Sequence, residues 1–339
     1  MRIYMAKRNN GGPLSGLITQ YIDYRRSLGF KMRDCEMRLR PLDELAKQLG
    51  IPTGGVSREL AEEFCKKRPM ESDTSRKSRV CLLRNFSAYL RSFGYESAIP
   101  NLPKAKSSIT PHIYTSTEIS AIFRECDRMS VGRKMMYSMK NIMPVLIRVL
   151  YGTGIRIGEA AKLTHDDVDL DNGFLKLKVT KNGDERIVPL SLSLLEVCKD
   201  YVAYKESIGL PVCKTTLFFT SPDGTRTIKI TTIHTLFRMV LTKAGISHGG
   251  INNGPRIHDL RHTFCINALV KMSESGQDLY HSMPTLMAYM GHKSIESTNK
   301  YLRITQEMFP NILKKMNVVY MHIFPEIDLD LTTERNETN

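Results

Sequence analysis

From Leu14 to Tyr95, apolar residues recur every three or four positions, the spacing that lays one stripe along a helix. In LSGLITQYIDYRRSLGF they fall at Leu14, Leu17, Ile18, Tyr21, Ile22 and Leu28, with Gly29 as the stop. Leu39, Leu42, Leu45, Ala46 and Leu49 make a second stripe, ended by Gly50 and Pro52. Val56, Leu60 and Phe64 make a third, and Leu83, Phe86, Leu90 and Phe93 a fourth, ended by Gly94. The pattern predicts four helices over residues 14–95, with the stripes as core and the arginines and lysines facing outward. The periodicity then lapses: ESAIPNLPKAKSSITPH is rich in proline, serine and lysine, and residues 96–113 read as a linker. Thr115 with Glu118 three residues on reads as a capping box. Residues 141–163 are helical and apolar, broken near YGTGIR. GFLKLKVTKNGDERIVPL reads as a β-hairpin, with strands near 174–180 and 185–189 and a tight turn at Asn182-Gly183. Helical spacing returns around 191–207, 231–244, 259–272, 283–290 and 295–302. The expected fold is mainly α with a small antiparallel β-sheet: a helical domain at 14–95, a second domain of α+β type at 114–316, and a tail at 317–339 that opens apolar and ends acidic.

Charge sharpens this picture. The formal net charge is +14. Residues 1–113 hold 21 Lys and Arg against 11 Asp and Glu, whereas residues 114–339 hold 28 against 24. The excess sits mostly in the first third of the chain, which suits a polyanion such as DNA or RNA; a generic basic surface is the plain alternative. The seven cysteines include no C-x-x-C pair, which fits a reducing cytoplasm better than a disulfide framework or a zinc ribbon. No apolar run approaches the ~20 residues of a membrane span. The opening MRIYMAKRNNGG is basic without an apolar core behind it and does not read as a secretory signal.

Four short blocks carry candidate chemistry. In GTGIRIGEA, Arg156 follows two glycines at a helix start, where free backbone N–H groups help grip a phosphate; Glu159 is spaced to hold the guanidinium or cap the helix. By itself this is also how a surface arginine after a turn looks. Lys181 sits at the hairpin tip, either simply solvated or pushed into a groove to donate a proton. In HDLRHTF, His258 and Arg261 project from one side of a helical turn, and His262 is spaced to share a metal with His258. The block lacks the Glu of HExxH and no third ligand is apparent, so a phosphate-binding pair is the better reading. In MGHKSIESTNKYL, Gly291 ends a helix, His292 occupies the turn and Tyr301 follows nine residues later; Tyr301 alone would be read as packing.

Together, and in this order, the blocks resemble the tyrosine recombinase (integrase) family, over about residues 14–316 and most strongly over 115–305. The resemblance implies an N-terminal helical core DNA-binding domain and a C-terminal catalytic domain. It implies Tyr301 as nucleophile, Arg156 and Arg261 on the scissile phosphate, Lys181 as general acid, His258 as general base or phosphate ligand, and His292 as a further phosphate ligand. All six positions hold the expected residue; one departure is a longer connection between Lys271 and Met290. The implied reaction cleaves and rejoins DNA through a 3′-phosphotyrosine, for integration, excision or resolution, with no metal, ATP or other cofactor. The implied partner is double-stranded DNA bearing specific recombination sites, held by a homotetramer on two sites, in the cytoplasm with the nucleoid and not at a membrane. The two domains would clamp the duplex, with Arg25, Arg26, Arg76, Lys77, Arg79, Arg84, Lys104 and Lys106 as candidate phosphate contacts. The tail residues Val318, Val319, Tyr320, Ile323 and Phe324 would pack on a neighbouring protomer. A type IB-like topoisomerase shares the chemistry, a non-catalytic DNA-binding regulator shares the charge, and metal-dependent hydrolysis is the remaining alternative.

Overall fold

The first three stripes and the fourth become helices α1 (Ser15–Ser27), α2 (Cys35–Gln48), α3 (Arg58–Cys65) and α4 (Asp73–Ser92) in the computed structural model. It describes residues 11–32, 34–52, 54–104, 110–129, 139–178, 185–249, 254–277 and 279–291. The chain divides into two compact units, Met1–Ile109 and Thr110–Asn339.

In the first unit the apolar stripes meet in one core of Leu17, Ile18, Tyr21, Leu39, Leu42, Leu60, Phe64, Leu83, Phe86 and Leu90. Burying each large side chain stabilises the unit by about 1.5–3 kcal/mol. Ser57 and Ser72 cap α3 and α4, their hydroxyls accepting from Leu60 N and Ser75 N at 3.2 Å. The start of α1 is capped from a distance: buried Asp43 of α2 accepts from Gly12 N at 2.6 Å and Leu14 N at 2.7 Å.

One expectation fails here. Arg79 does not face outward for a phosphate; it is 7% exposed. Its Nε and Nη2 donate to the two oxygens of Glu71 at 2.8 and 2.6 Å, Nη2 also donates to Lys66 O at 2.9 Å, and Nη1 donates to Phe64 O. The hydrogen bonds from Arg79 hold the Glu71 carboxyl down at about 2. Arg79 is a strut between α4 and the end of α3, since a buried guanidinium is tolerated only when its donors are matched.

The second unit is built around α6 (Met143–Thr153), which packs against α5 (Ser116–Met129), α8 (Leu192–Ser207) and α10 (Asp259–Glu274). The capping box at α5 forms: Thr115 N donates to Glu118 Oε2 at 2.7 Å, and Glu118 N to Thr115 Oγ1 at 3.2 Å. After α6 come the single turn α7 (Ile157–Ala160) and a three-stranded antiparallel sheet in the order β1 (Val168–Asp169), β2 (Phe174–Leu177), β3 (Arg186–Pro189). Its register pairs Leu175 with Val188 and Leu177 with Arg186. The strands are shorter than the alternation suggested, and β1 was not anticipated; the hairpin tip at 179–184 lies outside the described residues. Helices α9 (Ile230–Lys243) and α11 (Leu279–Met290) complete the unit. The connection beyond Lys271 that departs from the family pattern is taken up by the last turn of α10, a short link and most of α11. Cys265, Ile266 and Leu269 of α10 pack with Met283, Leu286 and Met290 of α11 in a small separate core.

Another buried cation is matched by carbonyls and a histidine in place of the carboxylate that Arg79 has. Lys205 of α8 is fully enclosed, and its Nζ donates to Leu217 O at 3.0 Å and Phe218 O at 3.1 Å and meets His165 Nε2 at 2.8 Å. Burial lowers its pKa to about 8; burial, then the Lys205 charge, lowers that of His165 to about 4. No helix among the described residues is long and apolar enough to cross a membrane.

Candidate active site

The break after α6 is steric in origin. Gly154 caps the helix in the left-handed conformation, φ +64°, with its N–H on Leu150 O at 3.0 Å. A Cβ there would lie 2.5 Å from Phe264 Cδ1 of α10, so the position demands glycine for space as well as for φ. The tight turn presents Arg156 as the N-cap of α7. Glu159 serves both purposes foreseen for it: its Oε2 accepts from Arg156 N at 2.9 Å, and its Oε1 accepts from Arg156 Nη1 at 2.8 Å.

The HDLRH block starts α10. Asp259, buried in the first turn, accepts from Arg256 N at 2.8 Å and Arg256 Nη2 at 3.1 Å, which makes it a helix cap. That cap aims Arg261 inward. Only 3% exposed, Arg261 donates through Nη1 to Gly154 O at 2.6 Å and through Nη2 to Met290 O. Arg156 Nη2 reaches Gly291 O at 3.3 Å. The two arginines therefore converge on consecutive carbonyls at the end of α11, where Gly291 turns the chain with φ +62°.

His258 stands immediately before α10, its ring edge-to-face against His262 with centroids 5.0 Å apart. The residue as a whole is exposed to solvent. Desolvation by the surrounding chain, followed by the positive charge of Arg261, holds its imidazole at about 4, so it is neutral at pH 7. A phosphate entering beside it would oppose that shift and make the ring more basic.

Arg156, Glu159, His258 and Arg261 are thus brought to one place by two separate stretches of chain, while Lys181, His292 and Tyr301 lie outside the described residues. Sequence reasoning missed Arg186 of β3, whose Nη2 and Nη1 donate to Glu159 Oε2 and Oε1 at 2.8 and 3.3 Å. Its one signal, the strand face it shares with buried Val188, is weak in so short a strand. Among the described residues a tyrosine borders the site: Tyr289 stacks on Phe264 and donates to Thr153 O at 3.1 Å. Burial raises its pKa to about 12, so it is a poor nucleophile. Among the described residues, no group of three or more His, Cys, Asp or Glu is arranged to hold a metal ion.

In the first unit the candidate phosphate contacts separate by environment. Lys77, Arg84 and Lys104 are exposed, although Arg84 also donates to Pro100 O at 3.3 Å. Arg26 is exposed and pairs with Asp23 at 3.1 Å. Arg25 is half-buried and lies over the Phe30 ring at 3.7 Å, and Arg76 donates to Cys65 O at 2.9 Å. Lys106 lies outside the described residues.

The profile of the phage integrase family matches residues 113–308. A Sinorhizobium fredii protein named as an integrase/recombinase, y4rB, is 28% identical over 306 residues, covering 88% of this chain and 95% of its own. A tyrosine recombinase of Pseudothermotoga lettingae is 28% identical over 271 residues, covering 76% and 82%. Two solved structures share the fold. XerH recombinase on its palindromic difH substrate, after cleavage, has a TM-score of 0.63 at 18% identity, covering 90% of this chain and 84% of that one. A lambda integrase dimer on a COC′ core site has a TM-score of 0.59 at 17% identity, covering 86% and 77%.

Proposed function

The chain belongs to the phage integrase family of DNA recombinases, and from that premise we propose that it cuts and rejoins DNA at specific sites through Tyr301. The observation that carries this reading is the convergence of Arg156 and Arg261 on the carbonyls of Gly291 and Met290. That convergence sets two guanidinium charges at the root of the segment that continues to His292 and Tyr301.

A phosphodiester resists attack because its non-bridging oxygens are negative. Arg156, 22% exposed at its side chain, meets the phosphate, and Arg261 adds a buried charge behind it. A preorganised donor of this kind is worth about 10²–10³ in rate. The Tyr301 oxygen attacks phosphorus as its proton passes to His258 or a phosphate oxygen. The bond from phosphorus to the 5′ oxygen breaks, and Lys181 protonates the leaving oxygen. The products are a 3′-phosphotyrosine and a 5′-hydroxyl. A 5′-hydroxyl from another strand reverses the step, so one phosphodiester replaces another and no external energy source enters. Exchange between two duplexes requires four cuts, hence four tyrosines, and we assign a homotetramer on two sites. The enzyme would act in the cytoplasm, on the nucleoid, and the exposed cations of residues 14–104 would hold the backbone of the duplex.

The test is covalent capture. Nicked duplexes with a randomised core are mixed with the protein in EDTA, and species resistant to denaturation are recovered and sequenced. Adduct should form with the wild type and with Tyr289→Phe, but not with Tyr301→Phe. Strand exchange between two differently labelled copies of the recovered site separates a recombinase from a topoisomerase. Absence of any adduct from the wild type would sink the proposal.

A further inference from the structure

We propose that Arg186 is a positioning residue for strand cleavage, which keeps the Arg156 guanidinium charged toward the phosphate by taking up the charge of Glu159. The inference rests on the recombinase reading above. Each oxygen of Glu159 is shared between the two arginines. Oε2 accepts from Arg186 Nη2 at 2.8 Å and Arg156 N at 2.9 Å; Oε1 accepts from Arg156 Nη1 at 2.8 Å and Arg186 Nη1 at 3.3 Å. Glu159 and Arg186 are both almost wholly buried, with side chains 5% and 10% exposed. Burial alone would raise the carboxyl's pKa, but the Arg186 hydrogen bond leads the contributions that bring it below the ordinary value.

The charge count explains the arrangement. Arg156 with Glu159 alone is a neutral pair, of little use to an anion. With Arg186 added, the buried cluster carries a net positive charge, and Arg156, the more exposed cation, presents it. A fork-to-fork contact also fixes the plane of the carboxylate, and so the plane of the guanidinium it holds.

Position reinforces the role. Arg186 opens the return strand of the hairpin that bears Lys181, paired with Leu177 across the ladder. On its other side it bears on the end of α11: a Cβ at Gly291 would lie 3.0 Å from Arg186 Nη1 and 3.4 Å from its Cζ. One side chain thus touches the acid-bearing hairpin, the holder of Arg156 and the chain leading to His292.

The experiment is single-turnover cleavage by the full chain on a nicked duplex of the captured site, with either a normal scissile phosphate or a methylphosphonate. The methyl group removes one negative oxygen and with it the need for one cation. Arg186→Gln should slow cleavage of the normal phosphate about 10²-fold, within the range for a lost charge-stabilising donor, with DNA affinity within threefold of wild type. Combined with Arg156→Ala it should slow the reaction no further than Arg156→Ala alone. On the methylphosphonate both single variants should approach the wild-type rate. Arg186→Lys, which keeps the charge but not the fork, should fall between wild type and Gln. If Arg186→Gln does not fold, Arg186→Lys decides: it must slow the normal phosphate at least tenfold and recover on the methylphosphonate. A rate within twofold of wild type, additivity with Arg156→Ala, or no recovery on the methylphosphonate overturns the proposal. Failure of the wild type to form an adduct strikes the recombinase reading instead.

Discussion

Replacing Gly154 with alanine tests whether the turn before Arg156 is set by sterics. Two costs follow from the structure. An L side chain at φ +64° is disfavoured by about 1–2 kcal/mol. The new methyl would also sit 2.5 Å from Phe264 Cδ1 and 3.0 Å from Cγ, and Phe264 cannot swing aside freely because Tyr289 stacks on it with ring centroids 5.5 Å apart. Overpacking of this kind costs about 1–3 kcal/mol. The sum, about 2–5 kcal/mol, lowers the melting temperature of the second unit by roughly 4–20 °C at ~2–4 °C per kcal/mol. Cleavage should slow as well, because Gly154 O accepts from Arg261 Nη1. The assay is urea unfolding of Gly154→Ala, Phe264→Leu and the double variant. Shortening the ring should return the steric part, giving a coupling of at least about 1 kcal/mol between the two sites. Stability of Gly154→Ala within about 0.5 kcal/mol of wild type, or strict additivity in the cycle, would refute the reasoning.

Other outcomes follow from the buried charges. Arg79→Leu leaves half-buried Glu71 with only the Arg68 N–H as a hydrogen-bond donor, so unfolding free energy should fall by about 1–3 kcal/mol. Lys77→Ala should leave stability unchanged but reduce the slope of log affinity against log salt by about 0.9, measured by anisotropy titrations on duplex DNA. His258 binds its proton near 4 in the fold but near 6.5 in the unfolded chain, so the unfolded state takes up the proton first as pH falls. Wild type should therefore lose stability between pH 6.5 and 4 relative to His258→Gln, read as urea midpoints at each pH. Lys205, lowered to about 8 against an ordinary 10.5, is held back from protonation by the fold. Wild type should gain stability relative to Lys205→Met as pH rises from 8 to 10.5, and a flat difference would contradict the burial described.

The sequence made the helices legible because their stripes are long and end at glycines; the Arg156–Glu159 contact was legible from local spacing, whereas Arg156 and Arg261, 105 positions apart, stood out only through the order of the four blocks. It misled at Arg79, a charged residue that continues an apolar stripe, a pattern that Lys205 repeats. Arg79 stands in line with Leu83, Phe86 and Leu90 at steps of four, three and four, and Lys205 stands in line with Leu194, Cys198 and Tyr201 at the same steps reversed in order along α8. Charge argued for the surface, periodicity for the interior, and periodicity prevailed because distant carbonyls or a carboxylate were available to match the donors. That match depends on chain segments brought near by folding, which spacing does not reveal. In β3, Ile187 is 63% exposed while Arg186 turns inward beside Val188. A four-residue strand contains too few alternations to decide its own parity. The two-residue β1 is shorter still, and exists only through its pairing with β2.

The donors of Arg156 and Arg261 that rest on Gly291 O and Met290 O have a thermodynamic corollary. Any anion that draws those groups away loosens the root of the downstream chain, and any rearrangement of that chain that frees them raises the affinity for the anion by an equal factor. Binding of an anion by these arginines and loosening of the Met290–Gly291 turn would be conjugate events, each measurable through the other.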